Sequence, residues 1–147
     1  MLQRMHIRLF CYTDDSELGR AGLAFCDYLA ERHSVRLVSL NQFALFDGKS
    51  GDWQRHAPLT TTPMLGEYVN FVCGTPDDLL KIHSSFGLGN VALLVADAHL
   101  KFPANDLRRA LDRYQMVYTL TTADAERIDN VLEIAMMPIT ESSLVAA

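Results

Sequence analysis

The chain has 147 residues, 49% of them hydrophobic and 21% charged, which is enough for one substantial core and too little for two ordinary domains. Its formal charge of −5 draws neither phosphate backbones nor anionic lipid toward the surface as a whole, so nucleic acid is not an expected partner. The opening MLQRMHIRLFCYT carries a charge or a histidine every few positions, which leaves no apolar h-region and no span for a membrane helix, and a soluble, cytoplasmic protein is expected.

Met5 to Thr13 is rich in strand formers and stops at Thr13-Asp14-Asp15, where loop and cap residues take over. From Ser16 to His33 the apolar positions follow helical spacing, with Asp15 or Ser16 as N-cap and Arg32 and His33 in the last turn. Val35 to Leu40 is a second strand. Asn41 to Glu67 then loses periodicity and gathers glycine, proline and threonine, so it reads as a long irregular connection holding either a short helix around Gln42 to Phe46 or a functional loop.

Tyr68 to Cys73 is a third strand, and Gly74-Thr75-Pro76-Asp77-Asp78 opens a helix with Thr75 as N-cap, ending at Gly87 or Gly89. Asn90 to Leu100 is the most hydrophobic run, continuous rather than alternating, as in a strand covered on both faces. A helix over Asn105 to Tyr114, a strand over Met116 to Leu120, a helix over Ala123 to Leu132 and a short strand over Ile134 to Ile139 complete the order, before a frayed SSLVAA tail. Such alternation predicts a single α/β domain over residues 1–147, a three-layer α/β/α Rossmann-like fold whose mainly parallel sheet has about six strands. Cys11, Cys26 and Cys73 are odd in number and widely spaced, which suits buried free thiols better than disulfides or a metal site.

Open α/β sheets bind ligands beyond the carboxyl ends of their strands. That rule gathers Thr13 to Arg20, Gly74 and Thr75, Asp97 to His99, and Thr121 with Thr122. The loop DDSELGRAG has neither GxGxxG nor GxxxxGK[ST] spacing, and Asp14, Asp15 and Glu17 would repel an anion from the helix start. Gly19 and Gly22 read as close approach of helix to sheet ahead of ligand contact, and Arg20 faces solvent on most registers. Asp97 and His99 lie two apart where the apolar strand runs out, so extended geometry aims both into the cleft, His99 as base and Asp97 as its orienter. The alternative there is an Asx-type turn with an exposed histidine. The other histidines lack ligand spacing, and no metal or cofactor is expected.

Two resemblances follow from these residues. Asp14-Asp15 resembles the acid pair of response-regulator receiver domains, but the expected phosphoacceptor and lysine positions hold Cys73-Gly74-Thr75 and Thr121-Thr122, which leaves at most a degenerate receiver. GRAGLAFCDYLAERHSVRLVSLN and the segment from NVALLVADAHL to EIAMMPIT resemble the N-terminal Rossmann-like half of GT-B glycosyltransferases. That resemblance implies an acceptor-side domain that takes a sugar acceptor. Asp15, Ser16, Gly19 and Arg20 would lie in its first loop and helix, Thr75 after strand three, Asp97 or His99 at the base position, and Thr121 with Thr122 at the strand-end Ser/Thr. The second half, which carries the nucleotide-sugar site, does not follow in this sequence. The chain is then expected to be a fragment of a longer enzyme, the acceptor-binding subunit of a split transferase with a donor-domain partner protein, or a half-domain reused as a non-catalytic regulatory or interaction module through a homodimer or other protein contacts.

Overall fold

The computed structural model describes residues 6–41, 45–48, 69–86, 90–114, 116–133 and 137–138. Its elements run β1 (His6–Cys11), α1 (Glu17–Ala30), β2 (Ser34–Ser39), β3 (Leu45–Gly48), β4 (Val69–Cys73), α2 (Pro76–Phe86), β5 (Asn90–Leu94), α3 (Ala96–His99), α4 (Ala104–Leu111), β6 (Met116–Thr119), α5 (Thr122–Leu132) and β7 (Met137–Pro138). The seven strands lie in the order β3-β2-β1-β4-β5-β6-β7. Every neighbouring pair is parallel except β2 with β3. This is the three-layer Rossmann-like architecture expected from the alternation of elements, with an antiparallel edge strand added.

The side-chain period of two sorts each strand between two cores. Ile7, Leu9 and Cys11 of β1 join Phe25, Cys26 and Leu29 of α1 in one cluster, which also takes Phe71, Cys73, Val91, Leu93 and Tyr118. Phe10, Val72, Ala92 and Leu94 point the other way and meet Leu79 of α2, Leu107 and Leu111 of α4, and Ile128 and Leu132 of α5. One helix therefore covers one face and three cover the other, as right-handed crossovers require when the chain steps left to β2 and then right from β4 to β7. Val91 to Leu94 of β5 feed both cores in alternation, and that is why they read as an unbroken apolar run.

Local chemistry sets the boundaries. Ser16 is the N-cap of α1, its Oγ accepting the Gly19 N–H at 3.1 Å. The helix stops at Ala30, so Arg32 and His33 lie beyond its last turn rather than in it, and His33 is buried. Thr121 caps α5, accepting the Asp124 N–H at 3.1 Å. Arg108 reaches across from α4 to donate to the Leu132 and Val131 carbonyls at 3.0 and 3.3 Å, pairing groups that the end of α5 would leave open. Tyr114 ties α4 to α2 through its hydroxyl, which donates to the Leu79 carbonyl at 2.6 Å.

Two expectations are corrected. Leu45–Gly48, partly within the proposed helix of Gln42 to Phe46, is the strand β3. Pairing with the open edge of β2, Leu37 against Phe46, satisfies backbone groups that a one-turn helix in water would not. Residues 42–44 and 49–68 of the long connection, Gly87 and Gly89, and the SSLVAA tail lie outside the described residues. The run from Asn90 to Leu100 is not one strand: β5 ends at Leu94 and Ala96–His99 is helical. Among the described residues the sheet has seven strands, in keeping with the expectation of about six, the seventh being the two-residue β7.

Cys11, Cys26 and Cys73 are free and buried. Burial pushes the Cys26 and Cys73 thiols up to about 12 and the Cys11 thiol well above its usual value, the last with help from its neighbouring thiols. Because the thiolate is the reactive form, none of the three should react with Ellman's reagent at pH 8 until the protein unfolds, when all three should. A thiol titrating rapidly in the native protein would contradict this packing.

Candidate functional site

The strand order reverses between β1 and β4, which is where a ligand crevice is expected. The protein fills that position with its own side chains. Tyr12, just past β1, donates its hydroxyl to Asp78 Oδ2 at 2.6 Å. The same oxygen accepts from the Thr75 N–H and hydroxyl at 3.0 and 2.9 Å, while Thr75 Oγ1 accepts the Asp78 N–H at 3.1 Å. Thr75 and Asp78 thus form a reciprocal cap on α2, and burial followed by the Asp78 contact pushes the Tyr12 hydroxyl up to about 12. On the other side, Thr13 shares a hydrogen with Ser39 at 2.7 Å, and Asn41 Oδ1 accepts the Thr13 N–H at 2.9 Å.

The opening loop is likewise occupied. Asp14 Oδ1 accepts from the Ser16 N–H at 3.1 Å and from the Ser16 hydroxyl, an Asx turn that spends both side chains on the helix start. Gly19 and Gly22 are places of close approach. A Cβ on Gly19 would stand 2.0 Å from the Asp14 carbonyl oxygen, and one on Gly22 would stand 2.7 Å from Cys11 Cβ. Asp15 is exposed, and its carbonyl accepts from Arg20.

Asp97 and His99 do not share a cleft. The turn of helix that replaces the expected strand puts Asp97 outside, where its carboxylate accepts from Arg127 at 2.9 Å, and turns His99 inward to zero exposure. The His99 ring accepts the Val95 N–H at Nδ1, 2.9 Å, and donates from Nε2 to the Gly74 carbonyl at 3.0 Å. Burial holds its imidazole below the ordinary value against two backbone contacts that would raise it. A neutral ring with both nitrogens engaged ties β5 to the turn after β4. It has no free face for a substrate proton, and the pairing of His99 as base with Asp97 as orienter is withdrawn on geometry.

The carboxyl ends of β5 and β6 instead open onto a groove of about 810 Å³. Val95 and Leu120 line its floor, Ala21 and Ala24 of α1 line one wall, Ala96 and Ala98 of α3 another, and Thr121, Asp124 and Arg127 bring in the start of α5. Small side chains on facing helices give the groove its width. Two ion pairs cross its rim: Lys101 with Glu17 joins the turn after α3 to α1, and Arg127 with Asp97 joins α5 to α3. Both pairs are well exposed and contribute little to stability. Asp124 fixes the base of the groove by accepting the Ala96 N–H at 3.2 Å.

Arg20, Asp97 and Thr121 among the sequence-derived candidates therefore line one groove. Thr75 lines a second hollow of about 330 Å³ with Phe102 and Arg109, and Thr122 is exposed at the first position of α5. Glu17 falls within the stretch Thr13 to Arg20 that the strand-end rule gathers, whereas Lys101, Asp124 and Arg127 were not among the candidates. Glu17 is the most informative of these four, since its Oε1 takes Lys101 while its Oε2 is buried with no hydrogen-bond partner. No described helix is long and apolar enough to cross a membrane. No protein-family model matches the chain, and neither curated proteins nor solved structures give a significant match to it.

Proposed function

We propose that this chain is a binding domain that holds a neutral, hydroxyl-rich molecule of the sugar-acceptor class in the α1–α3–α5 groove and completes no reaction by itself. The observation that carries this reading is the unpartnered Glu17 Oε2 at the groove. The side chain as a whole is 42% exposed, but this one oxygen is covered and unpaired, and a ligand hydroxyl entering the groove would satisfy it with a charge-assisted hydrogen bond. The other charged groups around the groove, Arg20, Asp97, Lys101, Asp124 and Arg127, alternate in sign, which suits hydroxyls better than a phosphate. The acceptor-side half of a GT-B glycosyltransferase, completed by a donor-binding partner, is the enzymatic setting in which such a site would serve.

A titration of the chain with a panel of neutral glycosides and sugar nucleotides, followed by NMR or calorimetry, tests this. A glycoside should bind, and Glu17→Gln, which removes the charge, should weaken it about tenfold. Binding of sugar nucleotides alone, or glycoside binding indifferent to Glu17, would sink the proposal.

A second reading, a non-catalytic protein-contact module, is favoured by the engagement of both His99 ring nitrogens together with the rim ion pairs, whose exposed charges could exchange onto a partner's. Light scattering that finds a salt-sensitive homodimer, with no glycoside bound, would select it.

A further inference from the structure

The groove changes character along its length. From α1 it is lined by Glu17, Arg20, Ala21 and Ala24, which stand at i, i+3, i+4 and i+7 and so form one row down the helix. The first and last of them are about 10 Å apart along the helix axis. The row opens with two charged side chains at the start of α1 and ends in two methyl groups. Opposite it stand Val95 and Leu120, which prolong the rows of buried Leu93 on β5 and buried Tyr118 on β6. Both are half-buried and packed against the α1-side core, so each shows apolar surface to the groove.

This surface restricts the ligand. Alanine, valine and leucine side chains neither donate nor accept, so a hydroxyl laid over them gives up water and gains no partner. Among the described residues that line the groove none is aromatic, which leaves a sugar ring no flat face to stack on. The charged groups of the far wall are already engaged, Asp124 with the Ala96 N–H and Arg127 with Asp97. Hydroxyls are therefore served at the mouth, by the covered Glu17 Oε2, and the remainder of the groove favours aliphatic surface leaving water. A volume of about 810 Å³ falls within the range of about 300–1,000 Å³ that takes a whole small molecule rather than a single ring.

We propose that the groove binds an amphiphile, an alkyl glycoside whose sugar head meets Glu17 and whose short unbranched tail lies along Ala21, Ala24, Val95 and Leu120. This rests on the glycoside-binding reading above and names the substrate class for it, an acceptor with an aliphatic aglycone in place of a free oligosaccharide. Ala24 is the residue that admits the tail. It is exposed on α1, and a larger side chain there would fill the apolar end.

The test is calorimetry of the full chain with methyl, butyl and hexyl glucosides, each below its micelle concentration, and with 1-hexanol. Affinity should rise about threefold for each added methylene, the gain expected of a largely buried CH₂. Hexanol should bind at least tenfold more weakly than hexyl glucoside. Glu17→Gln should lower every glucoside by about the same factor and keep the slope, whereas Ala24→Leu should flatten the series and cost hexyl glucoside more than tenfold. Leucine is a good helix former, so Ala24→Leu should melt close to the parent; Val95→Thr, which sets a hydroxyl on the floor at nearly equal volume, should reduce the slope independently. A flat series in the parent, with methyl glucoside bound and sensitive to Glu17, would overturn the amphiphile and leave the glycoside-binding reading standing. A steep series that persists in both Ala24→Leu and Val95→Thr would place the tail elsewhere and also overturn it. No binding at any length, or hexanol as tight as hexyl glucoside with Glu17→Gln without effect, would sink the glycoside-binding reading and this inference with it.

Discussion

Replacing His99 with alanine is expected to destabilise the protein by about 4 kcal/mol, from two lost hydrogen bonds with buried backbone partners and the cavity left by the ring. The Val95 N–H and the Gly74 carbonyl would each lose their contact to the imidazole. In a chain of this size the melting temperature should fall by roughly 10 °C. Glycoside affinity of the molecules that remain folded should be unchanged, which is the opposite of what a cleft-facing base would give. The pH dependence provides a second check with a definite sign. Burial holds the folded imidazole below its ordinary value of 6.5, so the unfolded chain binds the proton more readily. The contribution of the neutral ring is complete above pH 6.5 and is lost as the pH falls below it, toward the folded value. Subtracting the urea midpoint of His99→Gln from that of the parent at each pH isolates this component. A difference that stays flat from pH 7 down to pH 5 would refute the buried, neutral assignment.

The strands and long helices were legible because their signals are local. VALL, from Val91 to Leu94, is apolar at every position since β5 feeds both cores, and Thr75-Pro76-Asp77-Asp78 carries the whole start of α2 within four residues. What failed was what depends on distant partners. ADAH alternates as a strand would, yet its last residue bonds to Gly74, 25 positions away, and its first N–H bonds to Asp124, 28 positions away. Those contacts turn it into a helix. The groove was legible only as a place, the carboxyl end of the sheet. Glu17 carries no motif, and its meaning comes from Lys101, 84 positions later, taking one oxygen and leaving the other.

The opening loop offers the other large effect, and its sign decides between two roles for the same glycines. In an ordinary helix interior, Gly→Ala stabilises by up to about 1 kcal/mol. Gly19 and Gly22 lie in the first half of α1, so idle glycines, or glycines kept open for a ligand, would give that gain at least in part. Close approach predicts the reverse. A Cβ at Gly19 meets the Asp14 carbonyl oxygen at 2.0 Å, a backbone atom whose turn is held by Asp14 Oδ1 on the Ser16 N–H at 3.1 Å. A Cβ at Gly22 meets Cys11 Cβ at 2.7 Å and Sγ at 3.1 Å, and Cys11 is fixed between β2 and β4 by pairing on both sides. Neither neighbour can yield without moving α1 off the sheet, and overpacking of this kind costs about 1–3 kcal/mol. Gly19→Ala should therefore lose about 3 kcal/mol and Gly22→Ala about 2 kcal/mol in urea unfolding. The larger loss belongs to Gly19 because its obstacle is backbone and its overlap deeper. If either variant melts at or above the parent, that glycine is not there for packing, and the loop from Asp14 to Gly22 returns as a ligand-contacting segment.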